Sequence, residues 1–381
     1  QRQMCIRDRC MEKYRILSIN PGSGSTKIAL YDNEEMVFQE SIYHDENDLK
    51  KFTEISDELP YRTEKVLETL KKHKISLDSI TAFSGRAGGL VSIKGGVYKV
   101  NDKMLEHAKM GYTMKHQSNL GVQIAYNLAK VNGKQAYTVN PVTVDELQDV
   151  SRITGIKGVH RSTIFHALNQ KEVAYQYAKS IGKRYDELNL IVVHLGSGIT
   201  IGAHKLGKVV DVNNALNGEG PFTTSRTGSI NTLTLMNMCF SGKYTKNDIY
   251  DIVTKKGGLT SLLGTNDIKK IVKRIEDGDE EAKLVLDAMI YQIAKQIGSY
   301  SVNFRGNIDA IILTGAIANS EYFTSILKEY IEFLGKVIII PGEKEMEALS
   351  NGVLRTIRGE EEVLEYTGEP ISMYTNVLND E

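Results

Sequence analysis

The sequence predicts an α/β protein made of two similar halves. Short apolar runs of strand length alternate with segments of helical periodicity, which is the pattern of an α/β fold. The segment INPGSGST at residues 19–26 is echoed by VHLGSGIT at residues 193–200, an offset of 174 positions. With 381 residues, the chain is long enough to form two domains, each with its own core.

The first half begins with a predicted hairpin. Residues 15–20 and 26–31 have the composition of two strands, and the turn PGSGS joins them. The turn does not carry the Gly-Lys-Ser/Thr of a Walker loop, and a strand follows it where that loop requires a helix. The other strands of this half are predicted at residues 36–41, 80–83 and 136–139, and its helices at residues 64–74 and 119–130.

The second half contains the second hairpin, whose first strand is predicted at residues 190–194. Further strands are predicted at residues 311–313 and 337–340, and helices at residues 163–181, 267–275, 280–300, 320–334 and 345–358. We place an N-terminal domain at residues 12–150 and a C-terminal domain at residues 151–344. Residues 345–381 are expected to carry a C-terminal helix that returns to the N-terminal domain. Residues 1–11 have no periodicity and are interpreted as a non-native or misannotated extension.

The composition excludes several classes of partner. The net charge is −1 and the pI is about 6.8, so the chain has no global basic field for nucleic acid or an anionic membrane. No apolar run approaches the ~20 residues that span a bilayer. The three cysteines, Cys5, Cys10 and Cys239, form neither a disulfide framework nor a zinc motif. We therefore expect a soluble cytoplasmic protein that binds no nucleic acid and no membrane.

Three glycine-containing turns are candidates for phosphate binding. The turns at residues 22–25 and 196–198 occupy matching positions in the two halves, and a third, GAIAN, lies at residues 315–319 between a strand and a helix. Glycine and serine leave backbone N–H groups uncovered, and a phosphate binds such groups. Taken alone, each of the turns at residues 22–25 and 196–198 is also explained as a plain hairpin turn that binds nothing. Two loops at matching positions predict a cleft that holds a triphosphate from both sides.

Four longer motifs, in this order along the chain, resemble the butyrate kinase branch of the acetokinase family. They are NPGSGSTK (20–27), STIFHALNQK (162–171), VVHLGSG (192–198) and NNALNGEGPF (213–222), and the resemblance extends from about residue 14 to residue 359. It implies two duplicated ribonuclease-H-like (actin-like ATPase) domains with an active-site cleft between them. It also implies reversible transfer of the ATP γ-phosphoryl group to the carboxylate of a short-chain fatty acid, with ATP/ADP and Mg²⁺ as cofactors. A homodimer or higher homo-oligomer is expected on the same ground.

This chemistry requires charge neutralisation more than a base. A carboxylic acid of pKa ~4–5 is already ionised at pH 7, and the resulting anion must approach a polyanion. By resemblance, Arg86 and Arg226 hold the substrate carboxylate and the transferring phosphoryl group, and His166 stabilises the γ-phosphoryl group. The alternatives are two solvated loop arginines and a core histidine.

The remaining site residues are also implied by the resemblance. It assigns the nucleotide to Asn20, Ser23, Ser25, Lys27, His194, Gly196, Ser197, Gly198, Asp267, Gly315, Ala316, Ile317 and Asn319. It assigns Mg²⁺ to Asn20 and, through water, to Glu345. Glu343 is the alternative to Glu345 as the Mg²⁺ carboxylate. Lys27 is also explained as a solvated strand residue. Near the adenosine, Lys269 replaces an arginine found in acetokinases.

The sequence departs from the family pattern at several positions. Asn140 stands where related enzymes commonly have an aspartate, and Asp145 is a candidate substitute for it. Ser197 and Ala316 replace glycines in two nucleotide loops. These departures motivate an inactive homologue as one alternative to an active carboxylate kinase. A second alternative is an actin-like protein that binds a nucleotide and acts as a switch.

The preferred acid is the least determined property. Ala87, Gly88 and Gly89 replace branched residues of acetate kinases, so more room for an acyl chain is expected beside Arg86. Butyrate, isobutyrate and isovalerate are therefore favoured, and an acetate or propionate kinase of the same fold is the alternative. Each added methylene contributes only ~0.8 kcal/mol on burial, so acids of neighbouring length should be poorly separated.

Overall fold

The computed structural model describes residues 12–371 of the chain. These residues form two compact units. The first comprises residues 12–92, Gly96–Pro141 and Glu345–Pro370, and the second comprises Ile93–Gly95 and Val142–Lys344. The units thus divide after Pro141, whereas the sequence places the domain boundary after residue 150. The predicted extension at residues 1–11 and the last ten residues of the predicted C-terminal segment lie outside the described residues.

The strands belong to two sheets. They are β1 (Arg15–Pro21), β2 (Ser25–Asp32), β3 (Glu35–Tyr43), β4 (Ala82–Gly85), β5 (Val97–Lys99), β6 (Gln135–Val139), β7 (Asn189–Leu195), β8 (Ile199–Lys205), β9 (Lys208–Val212), β10 (Ala310–Gly315), β11 (Val337–Pro341) and β12 (Val363–Leu364). The sheet of the first unit has the order β12-β5-β6-β4-β1-β2-β3, and that of the second has the order β11-β10-β7-β8-β9.

The helices complete the α/β pattern. They are α1 (Glu46–Leu49), α2 (Leu59–Lys72), α3 (Asp102–Met110), α4 (Asn119–Val131), α5 (Asp149–Arg152), α6 (Ala167–Ser180), α7 (Thr232–Cys239), α8 (Lys246–Thr254), α9 (Gly258–Leu263), α10 (Ile268–Glu276), α11 (Glu280–Tyr300), α12 (Glu321–Ile331) and α13 (Glu345–Ile357). Short 3₁₀ turns lie at Ile55–Glu58, Leu77–Ser79, Tyr185–Glu187, Ser301–Phe304, Ala316–Asn319 and Glu332–Leu334. None of the helices between residues 12 and 371 has the length and apolar composition of a membrane span.

The two sheets share a duplicated core. The arrangement β3-β2-β1-β4-β6 in the first unit matches β9-β8-β7-β10-β11 in the second. Strands β1 and β2 form an antiparallel hairpin in the first unit, as β7 and β8 do in the second. Strand β4 runs parallel to β1, and β10 runs parallel to β7. Strand β1 begins at Arg15 and β7 at Asn189, which is the offset of 174 residues read from the sequence. The predicted α/β fold with two similar halves is confirmed.

The second sheet is buried on both faces. Ile191 and Val193 of β7 pack with α11, whereas Leu190 and Val192 pack with α6. A strand that is covered on both sides has apolar residues at consecutive positions, as in the run that predicts β7. In the first unit, α13 packs on β1. The final described helix is therefore part of the N-terminal unit.

The structure corrects several element limits. Helix α2 begins at Leu59, five residues before its predicted start, because Pro60 is accommodated in the first turn. Helix α6 begins at Ala167, four residues later than predicted, because His166 leaves the helical conformation at its N-cap. Helices α7 and α8 are absent from the sequence prediction. No residue of either helix is buried.

Candidate functional site

In the first unit, three predicted site residues lie together. Glu345 Oε1 is 2.7 Å from Arg86 Nη1, and Glu345 Oε2 accepts a hydrogen bond of 2.7 Å from Asn20 Nδ2. Asn20 Oδ1 accepts a longer bond of 3.4 Å from Arg86 Nη1. Asn20 lies near the end of β1, Arg86 follows β4, and Glu345 begins α13, so the packing of three elements brings the group together. Of the two candidate glutamates, Glu345 is the one that contacts Asn20.

The first glycine-serine turn is held by Arg62, a residue that sequence analysis missed. The Arg62 side chain is fully buried, and it donates to the carbonyl oxygens of Gly22 at 3.0 Å, Ser25 at 3.1 Å and Ser23 at 3.0 Å. In a trans peptide the C=O and the next N–H point in opposite directions. Arg62 therefore turns the N–H groups of Ser23 and Gly24 away from itself. This is the arrangement that an anion-binding turn requires.

The other predicted residues of this loop are accessible. Ser23 is exposed, and Ser25 and Lys27 are partly exposed. Lys27 is paired with Asn20 across the hairpin, and directly opposed residues project from the same face of a sheet. Lys27 is thus on the face of Asn20. Its assignment to the nucleotide stays a prediction.

His44 lies under the same turn and gives the first unit a predicted sensitivity to acid. Its Nε2 is 2.8 Å from Thr26 Oγ1, and burial together with the positive charge of Arg62 lowers the pKa of His44 to about 4. The native state then binds fewer protons than the unfolded state between pH 6.5 and about 4. The contribution of His44 to the free energy of unfolding is fully present above pH 6.5. It falls by roughly 2–3 kcal/mol as the pH decreases to 4.

Urea unfolding at pH 7, 5.5 and 4, followed by circular dichroism, measures this effect. His44→Gln retains a hydrogen-bonding group near Thr26 without the titration, so the variant should lose less stability than the wild-type chain over the same interval. Equal losses in the two proteins would show that His44 is not the cause.

Asn140 has a structural role of its own. Its backbone φ is +40°, in the left-handed region that asparagine tolerates. Its side-chain oxygen accepts from Gly96 N at 2.8 Å, and its own N–H donates to Gly96 O at 3.0 Å. An aspartate would accept the same bond and add a charge. The effect of Asn140 on activity stays a prediction.

Asp145 is committed to an internal ion pair in the second unit. Its two oxygens accept from Arg152 Nη1 at 2.7 Å and Nη2 at 2.6 Å, and both side chains are buried. Oδ1 also accepts from Leu147 N. A bidentate pair of this kind leaves little capacity for a metal or a catalytic arginine. The geometry therefore argues against Asp145 as the substitute for an aspartate at position 140.

The small residues after Arg86 do not leave empty space. A Cβ at Gly88 would collide with Ser118 Oγ and lie 2.5 Å from Asn119 Oδ1, and a Cβ at Gly89 would lie 2.5 Å from Met114 O. Asn119 also accepts a hydrogen bond of 2.6 Å from Gly89 N. The glycines are needed for this close contact with residues 114–119. The expected additional acyl room at these two positions is not found.

His116, in this contacting segment, is a second residue that sequence analysis missed. His116 is exposed at the surface, and desolvation of its ring together with the positive charge of Arg86 lowers its pKa. Ser118 Oγ lies 2.9 Å from its Nδ1. The available sequence signal was a histidine in a polar loop immediately before α4. We add His116 to the residues around Arg86.

In the second unit, Arg226, His166 and Gly198 lie together. A Cβ on Gly198 would collide with Arg226 Nη1 and lie 3.3 Å from His166 Cε1. Arg226 Nη1 donates to Ala215 O at 2.9 Å, and its buried Nε has no hydrogen-bond partner among residues 12–371. No carboxylate of the described chain forms an ion pair with Arg226, and burial lowers the pKa of its guanidinium. An unneutralised, partly buried cation is suited to an anionic ligand.

The second glycine-serine turn adjoins two stacked histidines. The rings of His166 and His194 are 3.8 Å apart and inclined by 9°. The Ser197 carbonyl accepts from Thr223 Oγ1 at 2.7 Å, so the N–H of Gly198 points the other way. The structure therefore brings Ser197, Gly198 and both histidines to one place.

A cavity of about 690 Å³ in the second unit is lined by six of the predicted nucleotide residues. Those residues are Gly196, Ser197, Asp267, Ala316, Ile317 and Asn319, together with Lys269. Gly315 lies at the adjacent turn with φ of +90°, and a Cβ there would collide with Leu195 O. Asp267 caps α10 through bonds to the N–H groups of Lys269 and Lys270, so its carboxylate has a structural partner. The volume lies within the range of small-molecule sites.

The residues assigned to Mg²⁺ fit that ion in one specific way. No group of three or more His, Cys, Asp or Glu side chains that could hold a metal occurs between residues 12 and 371. Mg²⁺ commonly binds to one or two protein oxygens, with water and substrate phosphates completing its shell. The Glu345 carboxylate and the Asn20 amide oxygen provide this limited set. They would hold a metal only together with a phosphorylated ligand.

Comparison with known proteins identifies the family. The chain matches the acetokinase family model over residues 150–354, more than half of its length. The chain belongs to the acetokinase family. It is accordingly a phosphotransferase that uses a carboxyl group as acceptor. Kinases of this family use ATP or ADP and Mg²⁺.

Solved structures of acetate and propionate kinases share the fold. The acetate kinase of Porphyromonas gingivalis has a TM-score of 0.76 at 19% identity, over 91% of this chain and 100% of that chain. The propionate kinase of Francisella tularensis has a TM-score of 0.73 at 19% identity, over 89% and 98%. The acetate kinase of Entamoeba histolytica has a TM-score of 0.73 at 17% identity, over 89% and 98%. The α/β fold with two sheets is therefore shared with these acetate and propionate kinases.

Proposed function

We propose that this acetokinase catalyses reversible, Mg²⁺-dependent transfer of the ATP γ-phosphoryl group to the carboxylate of butyrate or a branched short-chain fatty acid. The observation that carries the proposal is the cation Arg226, which lies beside His166 and the second glycine-serine turn and has no carboxylate partner among residues 12–371. An actin-like switch would not need an unneutralised arginine of this kind. The acetokinase family makes a carboxylate the acceptor.

The proposed reaction needs no general base. A carboxylate oxygen of the acid forms a bond to the γ-phosphorus while the bond from that phosphorus to the β,γ-bridging oxygen breaks, which gives an acyl phosphate and ADP. Negative charge on the transferred group is stabilised by Arg226 and by a donor on His166. We assign the substrate carboxylate to Arg86, whose Nη1 is paired with Glu345 and whose Nε and Nη2 would contact the acid.

The cavity of the second unit is the proposed adenosine site. Ala316 and Ile317 supply its apolar surface, and the first and second glycine-serine turns supply N–H groups for phosphates. Glu345 and Asn20 would hold Mg²⁺ together with the phosphates. When bound, that ion would neutralise phosphate charge and fix the geometry of the transfer.

Acetate or propionate is the second candidate substrate. Two observations favour it: the structural neighbours are acetate and propionate kinases, and residues 114–119 already fill the space at Gly88 and Gly89. The four motifs at residues 20–27, 162–171, 192–198 and 213–222 instead support the butyrate branch. The two candidates differ only in the acid that gives the highest kcat/KM.

Trapping with hydroxylamine tests the proposal directly. The protein is incubated with Mg-ATP and acetate, propionate, butyrate, isobutyrate or isovalerate, and the acyl phosphate is converted to a coloured hydroxamate. We expect product with all of the acids and the highest kcat/KM with butyrate or a branched acid. A maximum at acetate or propionate would establish the second candidate, and absence of product with bound ATP would indicate a switch or an inactive homologue. A cytoplasmic location and a homodimer or higher homo-oligomer stay predictions.

A further inference from the structure

The first turns of α6 carry two buried amides that each determine the state of a different histidine. Asn169 and Gln170 are consecutive and almost inaccessible to solvent. They belong to the motif STIFHALNQK, in which only His166 has so far been given a role. Gln170 reaches His166 through Thr200, and Asn169 contacts His194 directly.

The orientation of the Gln170 amide is fixed by a backbone carbonyl. Its Nε2 lies 3.0 Å from Thr200 O and 2.7 Å from Thr200 Oγ1. A carbonyl oxygen can only accept, so the nitrogen of Gln170 must face Thr200. The amide oxygen then faces His204 Nε2 at 2.9 Å and accepts from it.

The hydrogen bond between His204 and Tyr185 is consistent with this orientation of the Gln170 amide. Tyr185 OH is 2.7 Å from His204 Nδ1, and both residues are buried. Burial and the positive charge of Lys171 lower the pKa of His204 well below its usual value. The neutral ring therefore donates from Nε2 to Gln170 and accepts at Nδ1 from Tyr185.

Thr200 transmits this orientation to His166. Its hydroxyl oxygen accepts from Gln170, and its hydroxyl hydrogen needs an acceptor because the side chain is fully buried. In the described part of the chain, His166 Nδ1 at 2.9 Å is the other group in hydrogen-bonding contact with that oxygen. Thr200 therefore donates to His166 Nδ1. A neutral His166 then carries its proton on Nε2.

Asn169 fixes His194 by the same logic. Its Oδ1 accepts a hydrogen bond of 2.7 Å from the backbone N–H of Lys344, which can only donate. Its Nδ2 consequently faces His194 Nδ1 at 2.9 Å and Thr314 Oγ1 at 3.2 Å. His194 Nδ1 is an acceptor, so this ring also carries its proton on Nε2.

The two stacked rings lie against the second glycine-serine turn. A Cβ on Gly196 would lie 3.1 Å from His194 Nε2, and a Cβ on Gly198 would lie 3.3 Å from His166 Cε1, the carbon between the two ring nitrogens. Two N–H donors on stacked rings 3.8 Å apart can serve neighbouring oxygens of one anionic group.

We propose that Asn169, Gln170 and Thr200 are positioning residues that hold His166 and His194 as a stacked pair of Nε2–H donors for one phosphoryl group of the nucleotide. The identity of the ligand rests on the proposed function, whereas the tautomers rest only on the hydrogen bonds. Gln170 and Asn169 act on different rings, so the two halves of the proposal can be tested separately.

Nitrogen-15 NMR of the full chain tests the tautomers. Long-range proton–nitrogen spectra distinguish protonated from unprotonated ring nitrogens, and single His→Gln variants assign the signals of the eight histidines. We expect unprotonated Nδ1 and protonated Nε2 in both His166 and His194 at pH 7.5. Addition of Mg²⁺ and a nonhydrolysable ATP analogue should shift both Nε2 signals. A proton on either Nδ1, or an analogue that shifts neither signal, would overturn the proposal.

Matched variants separate positioning from folding. Thr200→Ser keeps the hydroxyl and should retain kcat within about twofold. Thr200→Val leaves Gln170 Nε2 and His166 Nδ1 without this partner, so it should lower kcat about tenfold and lower the melting temperature, while the circular dichroism spectrum at the assay temperature stays that of the folded chain. Asn169→Asp places an acceptor against His194 Nδ1 and should move its proton to that nitrogen. Equal kcat in the Ser and Val variants would contradict the role of Thr200. If the predicted tautomers and the analogue-induced shifts are observed but no hydroxamate forms, the proposed reaction fails while the donor pair stands.

Discussion

Replacement of Arg226 by alanine is expected to lower kcat for acyl phosphate formation about a thousandfold or more and to leave the fold intact. An arginine that neutralises a transferring phosphoryl group contributes on the order of 10³–10⁵ to kcat. The Arg226 side chain makes one hydrogen bond, to Ala215 O, and its buried Nε has no partner in the described residues, so its removal eliminates an incompletely satisfied cation. Initial rates by hydroxamate formation and the melting temperature measure the two parts of this prediction.

Two further variants make the prediction specific. Arg226→Lys retains the charge without the planar fork and should recover only part of the lost kcat. Arg184 is a highly exposed arginine of the same unit that pairs with Asp186, and Arg184→Ala should leave kcat unchanged. If Arg226→Ala retained more than a tenth of the wild-type kcat, the assignment of Arg226 to the phosphoryl group would be wrong.

The duplicated fold could be predicted because its signals are local. The hairpin turn repeats at a constant offset, and the strands around it are consecutive apolar residues. Helix α11 was predicted with both of its ends, since Asp279 caps it and its apolar residues follow one face. Each of these features is encoded within a few neighbouring residues, so a single sequence reveals it.

The support around the site could not be predicted, because it depends on partners that are distant in sequence. Gly88 and Gly89 look like space for a ligand until residues 114–119 are packed on them. Gln170 looks like a polar residue of a helix until β8 places Thr200 beside it. A sequence lists the groups that can form hydrogen bonds, but the tertiary fold decides which of them meet.

Arg62 is the clearest case of a missed signal. In helix α2 it shares the buried face with Val66, Thr69 and Leu70, whose spacing from it is four, seven and eight residues. An arginine on the apolar stripe of an amphipathic helix predicts a buried charge with a dedicated partner. The structure supplies Glu58 at 2.6 Å and the carbonyl groups of the first glycine-serine turn.

Arg62→Met is expected to destabilise the protein by about 3–5 kcal/mol and to raise the KM for ATP. The variant leaves the buried Glu58 without its counter-charge, which is the costly way to disrupt a buried pair. It also releases the carbonyl groups of Gly22, Ser23 and Ser25, so the N–H groups of Ser23 and Gly24 lose their fixed direction. Urea unfolding and initial rates at varied ATP concentration measure the two effects.

The two effects can be separated by variants on the same helix. Lys65→Met changes a partly exposed lysine three positions away and should alter stability by less than about 1 kcal/mol with no change in KM. Arg62→Lys keeps a charge near Glu58 but cannot reach all of the turn carbonyl groups at once, because its three donors lie on one nitrogen. It should therefore regain more stability than ATP affinity. If Arg62→Lys restored both equally, the orientation of the turn would not depend on the guanidinium, and Arg62 would act through its charge alone.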